Sequence, residues 1–134
     1  MKQMFLAIMA LALSCILSQS AAFAQTQNQQ TPEEMATAQA DKLADLLDLE
    51  GWQVFYVDSV LQTNYKLLQD ELQDLQKSKV ENYDLYTGVR DKWMDRIDTA
   101  FKSFFTEDQW AKYLKSGAAK AQKLREKRAQ KSKK

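Results

Sequence analysis

Residues 51–79 constrain the fold most, because apolar side chains recur there at steps of three and four residues. At about 100° per residue, such steps place the side chains along one side of an α-helix. The members of this stripe are Val54, Val57, Leu61, Tyr65, Leu68, Leu72 and Leu75. Such a stripe must be covered by other helices. Helix-forming residues also abound elsewhere in the chain and β-hairpin signals are missing, so the sequence predicts an all-helical protein.

A second apolar set lies near the opposite face of the first part of this helix. Its members are Trp52, Tyr56, Val60 and Leu67. A helix that is apolar on two faces needs two partners. We therefore interpret this set as a candidate surface for binding another protein or a second copy of the chain. For Trp52 and Tyr56 the alternative is ordinary intramolecular core.

The other predicted helices span about 31–47, 82–104 and from 106 onward. The first begins with a strong signal, because Thr31 and Glu34 have the spacing of a capping box. The connections between helices are short, so the second and third helices should form a long antiparallel hairpin. The predicted fold class is all-α, with four helices and a long central antiparallel helical hairpin.

Two related motifs mark helix boundaries, at residues 49–53 and 105–109. Each has an apolar residue, then a cap position, then a glutamine three residues after the cap. Thr106 can accept a hydrogen bond from the backbone N–H of Gln109, while the Gln109 side chain accepts from the N–H of Thr106. In the first motif Glu50 takes the place of the threonine, which predicts a poorer cap.

Residues 1–24 have the pattern of a secretory signal peptide. The apolar run 4–17 is too short to span a bilayer, and Ala22-Phe23-Ala24 fits a cleavage site after Ala24. Lipidation of Cys15 is the weaker alternative. The sequence thus predicts export, no integral membrane span and a mature chain without cysteine. Residues 25–30 are polar and predicted to be a disordered stub.

Charge divides the remaining chain into an acidic body and a basic tail. Residues 31–117 form the predicted helical domain, and residues 25–117 hold 10 Lys and Arg against 17 Asp and Glu. The tail, 118–134, holds eight basic residues against one acidic residue and is predicted to be helical, fading to disorder. Two interpretations remain open. The tail is a solvated extension, or it contacts an anionic surface or acidic partner, including the acidic body of a second copy.

The composition removes several kinds of chemistry. The chain has no histidine, which excludes the commonest general base and most transition-metal sites. Its three glycines are scattered and cannot form a phosphate-binding loop. We therefore expect a protein that is not an enzyme and needs no cofactor or metal. Export argues against a nucleic-acid partner.

An exported, helical chain with two L-T-x-x-Q-like turns resembles the Spy/CpxP family of periplasmic LTxxQ-motif proteins. The second motif departs only in having Phe105 for leucine, whereas the first keeps Leu49 and Gln53 but lacks the threonine. The resemblance covers roughly residues 31–115. It implies that the turn residues are structural, namely Leu49, Gln53, Phe105, Thr106 and Gln109.

The resemblance also implies a function and an assembly. Members of the family are ATP-independent chaperones or stress-response accessories that bind unfolding or non-native envelope proteins, and they form cradle-like antiparallel homodimers. We therefore expect a chaperone-like protein linked to envelope stress. The alternative is a non-chaperone envelope interaction protein that docks one specific partner. A small-molecule carrier that uses the aromatic faces is a third hypothesis.

Overall fold

A computed structural model describes residues 30–133, and the predicted signal peptide and most of the predicted stub lie outside this range. The described chain is all-helical and has four helical segments, which confirms the predicted fold class. Helix α1 is Pro32–Leu47, α2 is Gly51–Lys77 and α3 is Tyr83–Phe104. The fourth segment comprises α4, Glu107–Tyr113, a π-helical turn, Leu114–Ala118, and α5, Ala119–Lys131.

Local capping explains where α1 starts and ends and where α3 starts. The Thr31 hydroxyl accepts from the Glu34 backbone N–H at 3.1 Å, and the Glu34 carboxylate accepts from the N–H of Thr31 at 2.9 Å. Helix α1 ends at Asp48, whose φ of +51° turns the chain into α2. The Asn82 side chain accepts from the N–H of Asp84 at 3.0 Å and caps α3. These starts and stops keep the connections short and place α2 and α3 side by side as the central hairpin.

The core lies where α1 and α4 pack against the end of the α2–α3 hairpin opposite its connecting loop. Phe101 is its largest fully buried side chain and stacks on Phe105 with ring centroids 5.1 Å apart. Alanines at the start of α1 let its backbone approach α2 closely. The buried apolar residues are Ala36, Ala40, Leu43, Leu47, Val57, Leu61, Ile97, Phe101, Phe105 and Tyr113. Met35 and Leu46, which have the same helical spacing as this face of α1, are exposed at its edges.

In the far half of the hairpin, α2 and α3 are held together partly by polar contacts. The Glu71 carboxylate of α2 accepts from Trp93 Nε1 at 2.7 Å and from Lys92 Nζ at 2.6 Å, both on α3. These hydrogen bonds hold the pKa of Glu71 below its ordinary value. The Arg96 guanidinium lies 4.6 Å from the centroid of the Trp93 ring. These contacts tie α2 to α3 in the half of the hairpin that lies away from the buried core.

A turn at Gly117 directs α5 back onto α3. Its φ of +120° is a backbone conformation that side-chain-bearing residues rarely adopt, so glycine suits this position. Beyond the turn, Arg125 Nε donates to Asp95 Oδ1 at 2.5 Å, and Arg128 Nε donates to Asp91 Oδ2 at 2.7 Å. The predicted basic tail is thus a helix as far as Lys131, and its arginines contact the acidic side of α3 within the same chain.

Candidate protein-binding surface at the motif junction

The two L-T-x-x-Q-like motifs meet in the structure through their glutamines. Gln53 Nε2 donates to Gln109 Oε1 at 2.7 Å, and Gln109 Nε2 donates to Gln53 Oε1 at 3.0 Å. Both side chains are buried, and Gln53 is only 2% exposed. Two primary amides that satisfy each other in this way can lie in a core without the penalty of an unpaired polar group. We call this reciprocal contact the glutamine pair.

Each glutamine of the pair also holds the start of its own helix. Gln53 Oε1 accepts from the Glu50 backbone N–H at 2.9 Å, and Gln109 Oε1 accepts from that of Thr106 at 3.0 Å. Gln53 Nε2 further donates to the Phe104 carbonyl at 3.2 Å. The Thr106 hydroxyl completes the second cap by accepting from the N–H of Gln109 at 3.2 Å. One network therefore fixes the start of α2 against the end of α3 and the start of α4.

The remaining two motif residues pack beside this network. Phe105 is buried in the core, and Leu49 is partly buried against it. With Gln53, Thr106 and Gln109, all five predicted turn residues lie at the junction. The sequence identified the two motifs but not their contact. The only sequence feature that pointed to this contact is that both glutamines occupy the same position of the motif.

The Glu50 side chain also contributes to the adjoining surface. Its Oε2 accepts from Trp52 Nε1 at 2.5 Å, which gives the indole N–H a partner while the ring stays at the surface. Trp52 remains 50% exposed. The residue that replaces threonine in the first motif thereby orients an aromatic side chain next to the glutamine pair.

Four aromatic side chains form a continuous patch here, which we call the aromatic surface. It consists of Trp52, Phe55 and Tyr56 on α2 and Phe104 at the end of α3. The Tyr56 ring lies 6.0 Å from that of Trp52, 5.9 Å from that of Phe55 and 5.9 Å from that of Phe104. Phe55 is 69% exposed and Tyr56 is 52% exposed. Phe104 is partly buried and connects the surface to the core.

The predicted second face of α2 is only partly continuous with this surface. Trp52 and Tyr56 belong to it, and Leu67 is exposed further along the helix. Val60, between them, is partly buried against the core. Phe55 belonged to neither apolar set of the sequence, because it falls between the two faces of the helix. Its size and its neighbour Tyr56 were the signals that could have identified it.

A buried ionic cluster supports α4 and α5 on the other side of α3. Asp98 Oδ1 accepts from the Tyr113 hydroxyl at 2.6 Å, and Asp98 Oδ2 accepts from Gln122 Nε2 at 3.1 Å and from Arg125 Nη2. Burial and the hydrogen bond to Asp98 raise the pKa of Tyr113. Helical spacing alone places Asp98 on the solvent side of α3. That side is covered, because α5 folds back over it.

A groove that is separate from the aromatic surface lies between α1 and the far half of α2. It has a volume of about 570 Å³ and is lined mainly by Met35, Ala38, Tyr65, Leu68 and Leu72, with Gln30, Gln39, Lys42 and Gln69 at its polar parts. Tyr65 is half-buried there, and burial raises its pKa. This groove has fewer aromatic side chains than the aromatic surface and lies apart from the glutamine pair.

No family model, curated protein or solved structure matches this chain. Within residues 30–133, no three Cys, Asp or Glu side chains are grouped as metal ligands would be. No helix in that part of the chain is long and apolar enough to cross a membrane. The function must therefore be argued from the surfaces themselves.

Proposed function

We propose that this protein is a periplasmic, ATP-independent chaperone-like protein that binds unfolding or non-native envelope proteins through its aromatic surface. It acts by binding and not as an enzyme. One observation carries the proposal. Trp52, Phe55 and Tyr56 are each half exposed or more, yet they lie beside a hydrogen-bonded junction that fixes the ends of three helices.

The chemistry of the aromatic surface suits non-native clients. Unfolding proteins expose apolar segments that differ in sequence, so a binding surface must offer apolar area without demanding a particular hydrogen-bond pattern. Aromatic rings provide large area at a small cost in side-chain entropy. Burying about 300 Å² of apolar surface contributes roughly 7 kcal/mol before the cost of association is subtracted. Binding should therefore be weak enough to reverse, as release of a client requires.

The resemblance to the Spy/CpxP family supports the same proposal independently of the aromatic surface. Both motifs that carry the resemblance have a structural role here, because their glutamines join in one network. The proposed export rests on residues 1–24, whereas the periplasmic location and the link to envelope stress rest on the resemblance. We also propose that the protein forms a homodimer, for which the second face of α2 is the candidate contact. A dimer that used the aromatic surface would compete with clients.

Replacing Trp52 and Tyr56 with alanine together should lower protection against aggregation at least severalfold, because two of the four rings of the aromatic surface are removed. The measurement is light scattering of several unrelated unfolding proteins mixed with the variant, without nucleotide. The control replaces Tyr83 and Leu85 with alanine. These side chains are 74% and 50% exposed and lie at the far end of the hairpin. This control should retain full protection, and both variants should keep the helix content of the parent by circular dichroism.

The breadth of protection separates the two proposed functions. A chaperone-like protein protects several unrelated clients, whereas a protein that docks one envelope partner protects none of them. Sedimentation velocity on the same variants reports whether the aromatic surface also forms the dimer. Equal protection by the double variant and the parent would contradict the proposed surface, and loss of helix would show that Trp52 and Tyr56 act as core.

A further inference from the structure

Helix α5 divides its basic residues between two faces. Arg125 and Arg128 point toward α3, where they pair with Asp91, Asp95 and Asp98. Four lysines lie on the outer side and are exposed: Lys120, Lys123, Lys127 and Lys131. We call these four the lysine row. Within residues 30–133, no carboxylate forms an ion pair with any of them.

The spacing of the lysine row makes it a narrow, straight band. Its steps are three, four and four residues, so the side chains fall within about 80° of one another and lie about 160° from Arg125. At about 1.5 Å per residue, the row extends over roughly 16 Å of the helix. The arginines, whose planar groups suit bidentate pairing with carboxylates, hold the helix in place, and the lysines remain free for another partner.

Two neighbours of the lysine row indicate the chemistry of that partner. Leu124 is 46% exposed and lies on the same side of the helix as the lysines. Glu126, the one acidic residue of α5, lies at one edge of the row, about 60° from Lys123, and lines a depression with Lys102 and Trp110. At the other edge Lys131 borders a depression lined by Asp84 and Asp91 of α3. The outer face of α5 thus combines four positive charges with an exposed leucine and has negative charge only at its edges. A row of lysines on an exposed helix face is attracted by charge to a surface that carries many negative groups.

We propose that the lysine row of α5 binds the surface of a bilayer that contains anionic phospholipids. Such a surface presents many negative charges in a plane, so a straight row of flexible lysines meets them without a fixed geometry. Leu124 would reach the boundary between headgroups and acyl chains. The acidic residues elsewhere on the protein, such as Asp41 and Asp45 of α1 and its C-cap Asp48, would be repelled by the same surface and would orient α5 toward it. This proposal does not depend on the chaperone-like function.

The test is co-sedimentation of the full chain with vesicles. One vesicle population is phosphatidylcholine alone, and in the other about a third of the lipid is phosphatidylglycerol. We expect binding to the anionic vesicles that falls steeply between about 50 mM and 500 mM salt. Replacing all four lysines with glutamine should lower the partition coefficient more than a hundredfold, since each lysine near an anionic surface contributes about fivefold. Leu124→Ser should weaken binding further without changing charge.

The matched control replaces four exposed lysines outside α5 with glutamine: Lys42, Lys66, Lys77 and Lys79. It changes net charge equally and should reduce binding far less. The melting temperature of the quadruple α5 variant should stay near that of the parent, because Arg125 and Arg128 keep their partners. Equal loss in both quadruple variants, or binding that is the same on phosphatidylcholine alone, would overturn the proposal. So would salt-sensitive self-association without vesicle binding, which would assign the row to the acidic face of a second copy.

Discussion

Replacing Gln53 with alanine is expected to lower the free energy of unfolding by about 3 kcal/mol. Gln53 is fully buried and takes part in hydrogen bonds with Gln109, the Phe104 carbonyl and the Glu50 N–H. The variant leaves the Gln109 amide without its partner in a buried place, and the Phe104 carbonyl and the Glu50 N–H without theirs in partly buried places. Each such group costs about 1–3 kcal/mol, partly offset by relaxation of the helix ends. Urea denaturation followed by circular dichroism measures the change.

The control for this variant is Gln76→Ala, because Gln76 lies in the same helix with an exposed side chain. It should change the free energy of unfolding by less than about 0.5 kcal/mol. The reciprocal contact predicts strong coupling to Gln109, so the double variant Gln53→Ala with Gln109→Ala should be less destabilised than the sum of the single variants. Strictly additive effects would show that the two motifs do not stabilise one another.

Replacing Asp98 with alanine should also cost about 3 kcal/mol, because it strands a buried charge. Arg125 is 6% exposed and would keep only Asp95 as a partner, while the Tyr113 hydroxyl and the Gln122 amide would lose their acceptor. The loss should appear as a lower denaturation midpoint. Because Tyr113 belongs to the core, its absorbance should report the same transition.

Two comparisons make the Asp98 prediction specific. Asp95 pairs with the same arginine but is 62% exposed, so Asp95→Ala should cost less than about 1 kcal/mol. The double variant Asp98→Ala with Arg125→Leu removes both charges and should be more stable than Asp98→Ala alone. If Asp95→Ala and Asp98→Ala were equally destabilising, Asp98 would not be the buried anchor of α5.

The helix boundaries were predictable because their causes are local in the sequence. Thr31 and Glu34 form the predicted capping box, and Thr106 caps α4 with Gln109 as expected. The side chain of Glu50 makes a contact that the motif sequence does not predict. Its carboxylate serves Trp52 Nε1, an interaction set by the rotamers of two side chains at the surface.

The contacts between distant helices were not predictable from periodicity. The glutamine pair joins residues 56 positions apart, and nothing local requires two capping glutamines to meet. Asp98 lies outside the apolar stripe of α3, which is formed by Trp93, Ile97 and Phe101. Its burial therefore depends on α5 turning back at Gly117. The division of α5 into an arginine face and a lysine face likewise appears only once its position on α3 is known.

The most direct test of client binding at the aromatic surface is nuclear magnetic resonance of the labelled protein, titrated with a reduced and alkylated protein that cannot fold. We expect signals of Trp52, Phe55, Tyr56 and Phe104 to shift or broaden first, including the Trp52 indole N–H. Signals from the outer face of α5 and from Tyr83 should change little. Changes centred on the groove between α1 and α2, or no changes at client concentrations that suppress aggregation, would contradict the proposed surface.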